Sequence, residues 1–232
     1  MNTATTDLFL ALTPDRVLDA VEAADLECAP VCHPLNSFEN RVYDVLLRDG
    51  RRVVAKFYRP GRWSRDQILE EHAFLNELEV DEVPVCGLHP FPDGTTLKTI
   101  DGIAYCLYDR VGGRAPEELD DDAVERLGMM AARIHNVGAS RDAPARLRLD
   151  ADTYVRDNLA FLVHPGLLPV RLRDRYVRLA NELADLADER LRGVETFRIH
   201  GDFHKGNVLV REGRFHVLDF DDLVVGPAVQ DL

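Results

Sequence analysis

The sequence predicts an α+β protein of two lobes, with a β-rich first lobe and a mainly helical second one. Three observations predict it. Residues 41–48 and 52–58 (RVYDVLLR and RVVAKFY) are strand-like runs joined by Asp49-Gly50, a dipeptide favoured in tight hairpin turns. A third apolar run, IAYCLYDRV, reads as a buried strand. Beyond Gly112-Gly113 the apolar spacing becomes helical, near residues 121–137, 151–162 and 171–192, so the division is placed at 1–112 and 113–232.

The elements follow in order. Thr13-Pro14 starts a first helix on which Val17, Leu18, Val21 and Ala24 recur at helical spacing. After the hairpin, Ser64 opens S-R-D-Q, a capping box closed by Gln67, and its helix carries Ile68, Leu75 and Leu78 on one face. Asp93-Gly94 and Asp101-Gly102 give two more hairpin signals around TTLKTI. In the second lobe Phe197 and Ile199 lead into a polar loop, and VLVREGRFHVL folds back on itself at Glu212-Gly213.

Composition excludes several classes. Of the 232 residues 41 are acidic and 28 basic, a net charge of −13 that opposes general binding to nucleic acid or anionic membrane. Residues 40–66 run the other way, with eight basic residues against three acidic ones, which reads as a solvated face or a local phosphate-facing patch. Cys28, Cys32, Cys86 and Cys106 lack metal or redox spacing and read as free thiols in a reducing cytoplasm. MNTATTDLFLALTPD has no basic start or long apolar core, and no stretch approaches 18 apolar residues, so neither secretion nor membrane spanning is expected.

The chemistry concentrates in RIHGDFHKGNVLVREGRFHVLDFDD. Asp219, Asp221 and Asp222 follow a strand-like run, and clustered carboxylates repel unless a cation or proton intervenes. The short hairpin after Asn207 returns the chain so that Asp219 lies beside it, pairing an amide oxygen with a carboxylate as Mg²⁺ prefers. Asp202 precedes Asn207 by five positions, the D-x-x-x-x-N spacing by which phosphotransferases place a base for the acceptor hydroxyl near a metal-binding Asn.

HGDFHKGN followed by VLDFDD resembles the catalytic and metal loops of the aminoglycoside phosphotransferase-like branch of the protein-kinase-like fold. With LNSFENRVYDV, VVAKFYRPGRWSRDQILEEH, EVPV, VGGR and GPAVQDL added, nearly the whole chain resembles the stress response kinase A family. The resemblance implies that Asp202 is the catalytic aspartate, that Asn207 and Asp219 bind Mg²⁺, with Asp219 also serving catalysis, that Lys56 holds the ATP phosphates, and that Ser37 lies in a short phosphate-covering loop. NSFEN stands where protein kinases carry a glycine-rich loop, and by its residues alone reads as a turn. Val54 shares the Lys56 face and would roof an adenine, and the resemblance puts Tyr108 at the lobe connection that meets the base. Of the two helical partners on offer for Lys56, Glu71 faces inward with Ile68, Leu75 and Leu78, whereas Glu70 has only Phe74 near it.

The resemblance further implies a cytoplasmic, monomeric Ser/Thr protein kinase of bacterial stress response that uses Mg²⁺ and ATP and phosphorylates proteins including itself. Family members continue past Leu232, which implies an incomplete second lobe. HGD-x-H-x-x-N alone also fits kinases acting on an aminoglycoside, choline or homoserine, and an inactive nucleotide-binding fragment is a further reading. From a different class, His200, Asp202 and His204 form H-x-D-x-H, a possible zinc hydrolase set. His135 reads as a structural partner of the catalytic loop, and Asp222 as a turn cap with Asp221 left between cap and helper.

Overall fold

A computed structural model describes residues 9, 12–164 and 166–232. Most of the N-terminal stretch read for a leader lies outside them. The described chain forms two compact units: one runs to Leu119 and takes in Lys205–Asp221, the other joins Asp120–His204 to Asp222–Leu232. The hairpin after Asn207 therefore groups with the first unit, whereas a division at Gly113 assigns it to the second segment.

In the first unit a sheet runs β1-β2-β3-β6-β4, with β5 also paired to β6. Its strands are β1 (Cys28–Leu35), β2 (Arg41–Leu47), β3 (Arg52–Phe57), β4 (Leu88–His89), β5 (Lys98–Ile100) and β6 (Ile103–Asp109). Strand β1 escapes the sequence pattern because it is an edge strand with Pro30 and Pro34 and an irregular register against β2. Asp101 and Gly102 both take positive φ and close the β5–β6 hairpin as their residue types suggest. Asp93-Gly94 instead makes a local turn in which Phe91 N donates to Thr95 O, and the strands on either side of it, β4 and β5, pair with β6 and not with each other.

Period-2 alternation decides which side chains meet. Val45, Val53, Ala55, Phe57, Tyr105 and Leu107 point to one face and form a core with Val17, Ala20 and Val21 of α1 (Pro14–Glu22). Phe57 is fully buried, worth about 1.5–3 kcal/mol relative to exposure. The opposite face presents Asp44, Val54, Lys56 and Tyr108, since Val54 pairs with Asp44 and Tyr108 and Lys56 with Cys106. Helix α2 (Arg65–Val80) begins at the expected capping box, with the Ser64 side chain accepting from Gln67 N and Gln67 accepting from Ser64 N.

The second unit holds α3 (Asp121–Gly138), α4 (Asp157–Leu162), α5 (Val170–Leu191), β7 (Phe197–Ile199) and β10 (Val224–Gly226). These helices lie within a few residues of the expected spans, α4 being preceded by a π-helical turn over Asp152–Arg156. Strands β7 and β10 pair antiparallel. Buried Arg198 donates from Nε to Gly138 O and from Nη2 to Val137 O, so its guanidinium closes the C-terminal end of α3. No helix among the described residues is long and apolar enough to cross a membrane.

Candidate active site

Lys56 is the centre of the first unit's polar face. Its Nζ lies 3.3 Å from Glu71 Oε1, 3.1 Å from Asp219 Oδ1 and 3.2 Å from Asp221 Oδ1. Glu71 is fully buried, and the Lys56 and Asp221 side chains are each only 5% exposed. Desolvation works to discharge this lysine, and Glu71, Asp219 and Asp221 together override it, holding its pKa well above the ordinary value. Burial likewise works to raise Asp221, yet Lys56, Trp63 and Asn40 outweigh it and leave that carboxyl below its ordinary range. Behind the pair, the Tyr58 hydroxyl reaches Glu71 Oε1 at 3.2 Å and His72 Nε2 at 3.0 Å, fixing the carboxylate from the core side.

The hairpin supplies Asp219. Strands β8 (Val208–Arg211) and β9 (Arg214–Val217) pair with Val208 opposite Val217, and Leu218 N donates to Asn207 O at 3.0 Å. That bond puts Asn207 and the residue before Asp219 side by side at one end of the ladder. Asp219 has φ +62°, an αL conformation that asparagine and aspartate tolerate better than other side-chain-bearing residues. Gly113, with φ +130°, lies so close to the hairpin that a Cβ there would sit 2.7 Å from Val210 O. The hairpin is thus seated against the segment expected to connect the lobes.

A cavity of about 290 Å³ opens on this face, and Ser37, Val54, Lys56, Tyr108 and Asp219 all line it. Val42, Leu209 and Leu218 give it apolar walls. Glu71 and Asn207 stand outside the lining, Glu71 behind Lys56 and Asn207 only 8% exposed. The Tyr108 hydroxyl points back to Glu71 Oε1 at 3.4 Å.

Asp202 belongs to the second unit, on the loop after β7. Its backbone N donates to His200 Nδ1 at 3.3 Å, and its carboxylate lies 3.4 Å from His204 Nε2. His200 is fully buried and His204 more than half exposed, so H-x-D-x-H does not converge, and among the described residues no group of three His, Cys, Asp or Glu side chains is arranged to hold a metal. The loop is pinned from below. Asp231 Oδ2 accepts from His200 N at 2.9 Å and from His135 Nε2 at 2.9 Å, while Oδ1 accepts from Gly201 N at 2.8 Å. Gly201 has φ +84°, and a Cβ on it would fall 2.1 Å from Asp222 O, so only glycine fits before Asp202.

Sequence reasoning missed two residues here. Asp221, left between a cap and a helper, is a direct neighbour of Lys56; its signal is its place as the second of three carboxylates in a run expected to meet a cation. Asp231 sits 29 residues past Asp202 with no spacing rule to link them, and nothing in the sequence pairs it with His135.

A buried lysine ion-paired to a helix glutamate on a twisted antiparallel sheet, with an Asn and an Asp at one end of a following hairpin, defines a protein-kinase-like phosphotransferase fold. A family model, described as the phosphotransferase enzyme family, matches residues 31–232, and the chain belongs to that family. It is 38% identical over 225 residues to stress response kinase A of Escherichia coli (strain K12), covering 97% of this chain and 68% of that one. The same identity and coverage relate it to the serine/threonine protein kinase RdoA of Salmonella typhimurium (strain LT2). Among solved structures, amicoumacin kinase in complex with AMP-PNP, Ca²⁺ and Ami superposes with a TM-score of 0.80 at 19% identity, covering all of this chain and 70% of that one. A microcompartment-associated aminopropanol kinase gives 0.66 at 23% identity, covering 92% and 71%. The resemblance to the stress response kinase A family is thereby established, and the chain is a kinase by family.

Proposed function

We propose that this kinase transfers the γ-phosphate of ATP, taken as its Mg²⁺ complex, to Ser or Thr hydroxyls of proteins, including its own, as a cytoplasmic monomer serving stress response. The observation that carries the reading is Lys56, buried and charged at the wall of an apolar-sided cavity with Glu71, Asp219 and Asp221 around it. The relatives named as stress response and Ser/Thr protein kinases support the acceptor class. The free thiols of Cys28, Cys32, Cys86 and Cys106 suit a reducing compartment.

The donor set fits a hard divalent cation: Asn207 and Asp219 offer oxygens, and the three carboxylates around Lys56 still exceed the Lys56 ammonium and the Arg62 guanidinium that pairs with Asp221. When bound, Mg²⁺ supplies charge neutralisation at the phosphates. The residues do the rest by position. Lys56, held by Glu71, presents its ammonium to phosphate oxygens, and Val54 and Tyr108 enclose the base in the apolar part of the cavity. The Ser37 hydroxyl, in the cavity lining, is placed to donate to phosphate. Asp202 orients the acceptor hydroxyl and takes its proton on a carboxylate oxygen as the new O–P bond forms and the bond from the γ-phosphorus to the β,γ-bridging oxygen breaks, with ADP as the leaving group.

The test is transfer of labelled γ-phosphate to the protein itself and to a Ser/Thr-rich protein, with and without Mg²⁺. Metal-dependent labelling should fall roughly 10²–10⁴-fold in Asp202→Asn while nucleotide binding persists. Bound ATP without any protein labelling would overturn the protein acceptor and turn the search to small-molecule hydroxyls.

A further inference from the structure

The first unit holds a second cavity that the phosphotransfer reading leaves unused. It measures about 650 Å³ and has Leu26, Leu47 and Val53 as an apolar floor. Its polar wall is Arg51, Arg52, Arg110 and Arg211, with His89 and Asp109. In a chain of net charge −13, a lining with four guanidiniums and Asp109 as its one carboxylate departs locally from the overall sign, although acids outside the lining pair with the arginines.

Their acid partners do not use these arginines up. Asp44, 7% exposed, accepts from Arg52 Nε at 2.8 Å with one oxygen and from Arg110 Nε at 2.8 Å with the other. Arg51 Nε donates to Asp49 Oδ2 at 2.7 Å, and Arg211 Nε lies 3.9 Å from Glu212 Oε1. His89 Nδ1 pairs with Asp109 at 2.9 Å. Each arginine thus meets its acid through Nε, and the Nη groups of all four make no hydrogen bond to the described residues. Asp44 in effect locks two guanidiniums into one orientation, which removes the ordering cost that weakens most surface arginines as ligands.

We infer that this cavity binds a phosphorylated small organic molecule, with phosphate oxygens on the Nη groups and the carbon body on Leu26, Leu47 and Val53. Guanidinium forks match phosphate bidentately, and the volume admits a metabolite-sized ligand. Asp109 and Arg110 line both this cavity and the one at Lys56, so its occupant touches residues next in sequence to Tyr108.

Fructose 1,6-bisphosphate is a suitable probe because it carries two phosphates and no base. Calorimetric titration should show saturable binding that AMP-PNP does not displace, with fructose silent. Arg51 and Arg211 are 66% and 54% exposed, so Arg51→Ala/Arg211→Ala should unfold at nearly the wild-type temperature yet bind the bisphosphate at least tenfold more weakly. Should that double variant lose its fold, Arg211→Glu alone carries the same expectation. No saturation in the millimolar range, displacement by AMP-PNP, or unchanged affinity in the arginine variant would each overturn the site.

Discussion

Lys56 in the first unit and Asp231 in the second are both buried, and their surroundings differ in kind. Lys56 is held by charges: three carboxylates converge on one ammonium, and one of them, Asp219, is 44% exposed at the cavity. Asp231 is held mainly by backbone: two amide N–H groups and one imidazole N–H point at its two oxygens. The first arrangement keeps an excess of negative charge that a ligand and its cation can share, and suits a group that must act. The second satisfies every donor it meets and suits a group that must keep a loop still. Position by hydrogen bonds at Asp231 and action by charge at Lys56 are thus built from different surroundings.

Breaking the charged cluster should produce the largest effect. Lys56→Met removes the ammonium from phosphate and leaves Glu71 and Asp221 buried without it. Phosphotransfer should fall by about 10³-fold, roughly 4 kcal/mol in the transition state. Steady-state kinetics at saturating ATP check this, and a loss under tenfold would show that the cluster is structural.

Asp231→Ala comes next and should read out differently. It strands the N–H groups of His200 and Gly201 in the interior, at about 3 kcal/mol of stability. Urea unfolding measures it. Asp231→Asn retains one acceptor oxygen of two and should recover only part of the loss; full recovery would mean that charge, not the pair of amide bonds, holds the loop.

The first unit's cluster also makes its stability depend on pH. Burial, and after it Lys56, holds His72 at about 3 against an ordinary 6.5. The unfolded chain therefore takes up a proton near pH 6.5 that the folded protein refuses until about 3. Stability is full above 6.5 and declines through that window by up to about 1.4 kcal/mol per unit, near 2 kcal/mol by pH 5. Asp221, a carboxyl held low, adds loss only below its ordinary 3.8. Unfolding titrations of His72→Gln between pH 5 and 7 should show a flattened slope, and an unchanged slope would place the dependence elsewhere.

How much of this was legible in the sequence depended on whether the information was local. The β2–β3 hairpin, the Ser64 capping box and the three helices of the second unit announce themselves within a window of a few residues, through turn chemistry and periodicity. The pairing of Asn207 with the residues around Asp219 follows from hairpin arithmetic alone. Strand β1 did not show itself, because its prolines speak against a strand and its pairing partner decides the matter. The inward face of Glu71 was readable from its helix, whereas the bonds from Asp231 to the loop before Asp202 join segments 30 or more residues apart and left no local trace.

The finest contrast between the units lies at two helix starts. Helix α2, which carries Glu71, opens with a reciprocal box: Ser64 Oγ accepts from Gln67 N at 3.2 Å, and Gln67 Oε1 accepts from Ser64 N at 2.8 Å. Helix α3, which carries His135, opens with a single bond from Ala123 N to Asp120 Oδ1 at 2.8 Å, and the carboxylate adds a favourable charge at the helix N-terminus. Ser64→Ala and Asp120→Ala should each cost about 1 kcal/mol in urea unfolding. Added salt should shrink the Asp120 effect by screening, since part of it is charge against the helix dipole, and leave the Ser64 effect nearly unchanged because a hydroxyl carries none. Equal salt dependence in both variants would mean that the neighbouring Asp121 and Asp122 already supply the charge term, leaving the two caps equivalent as hydrogen bonds alone.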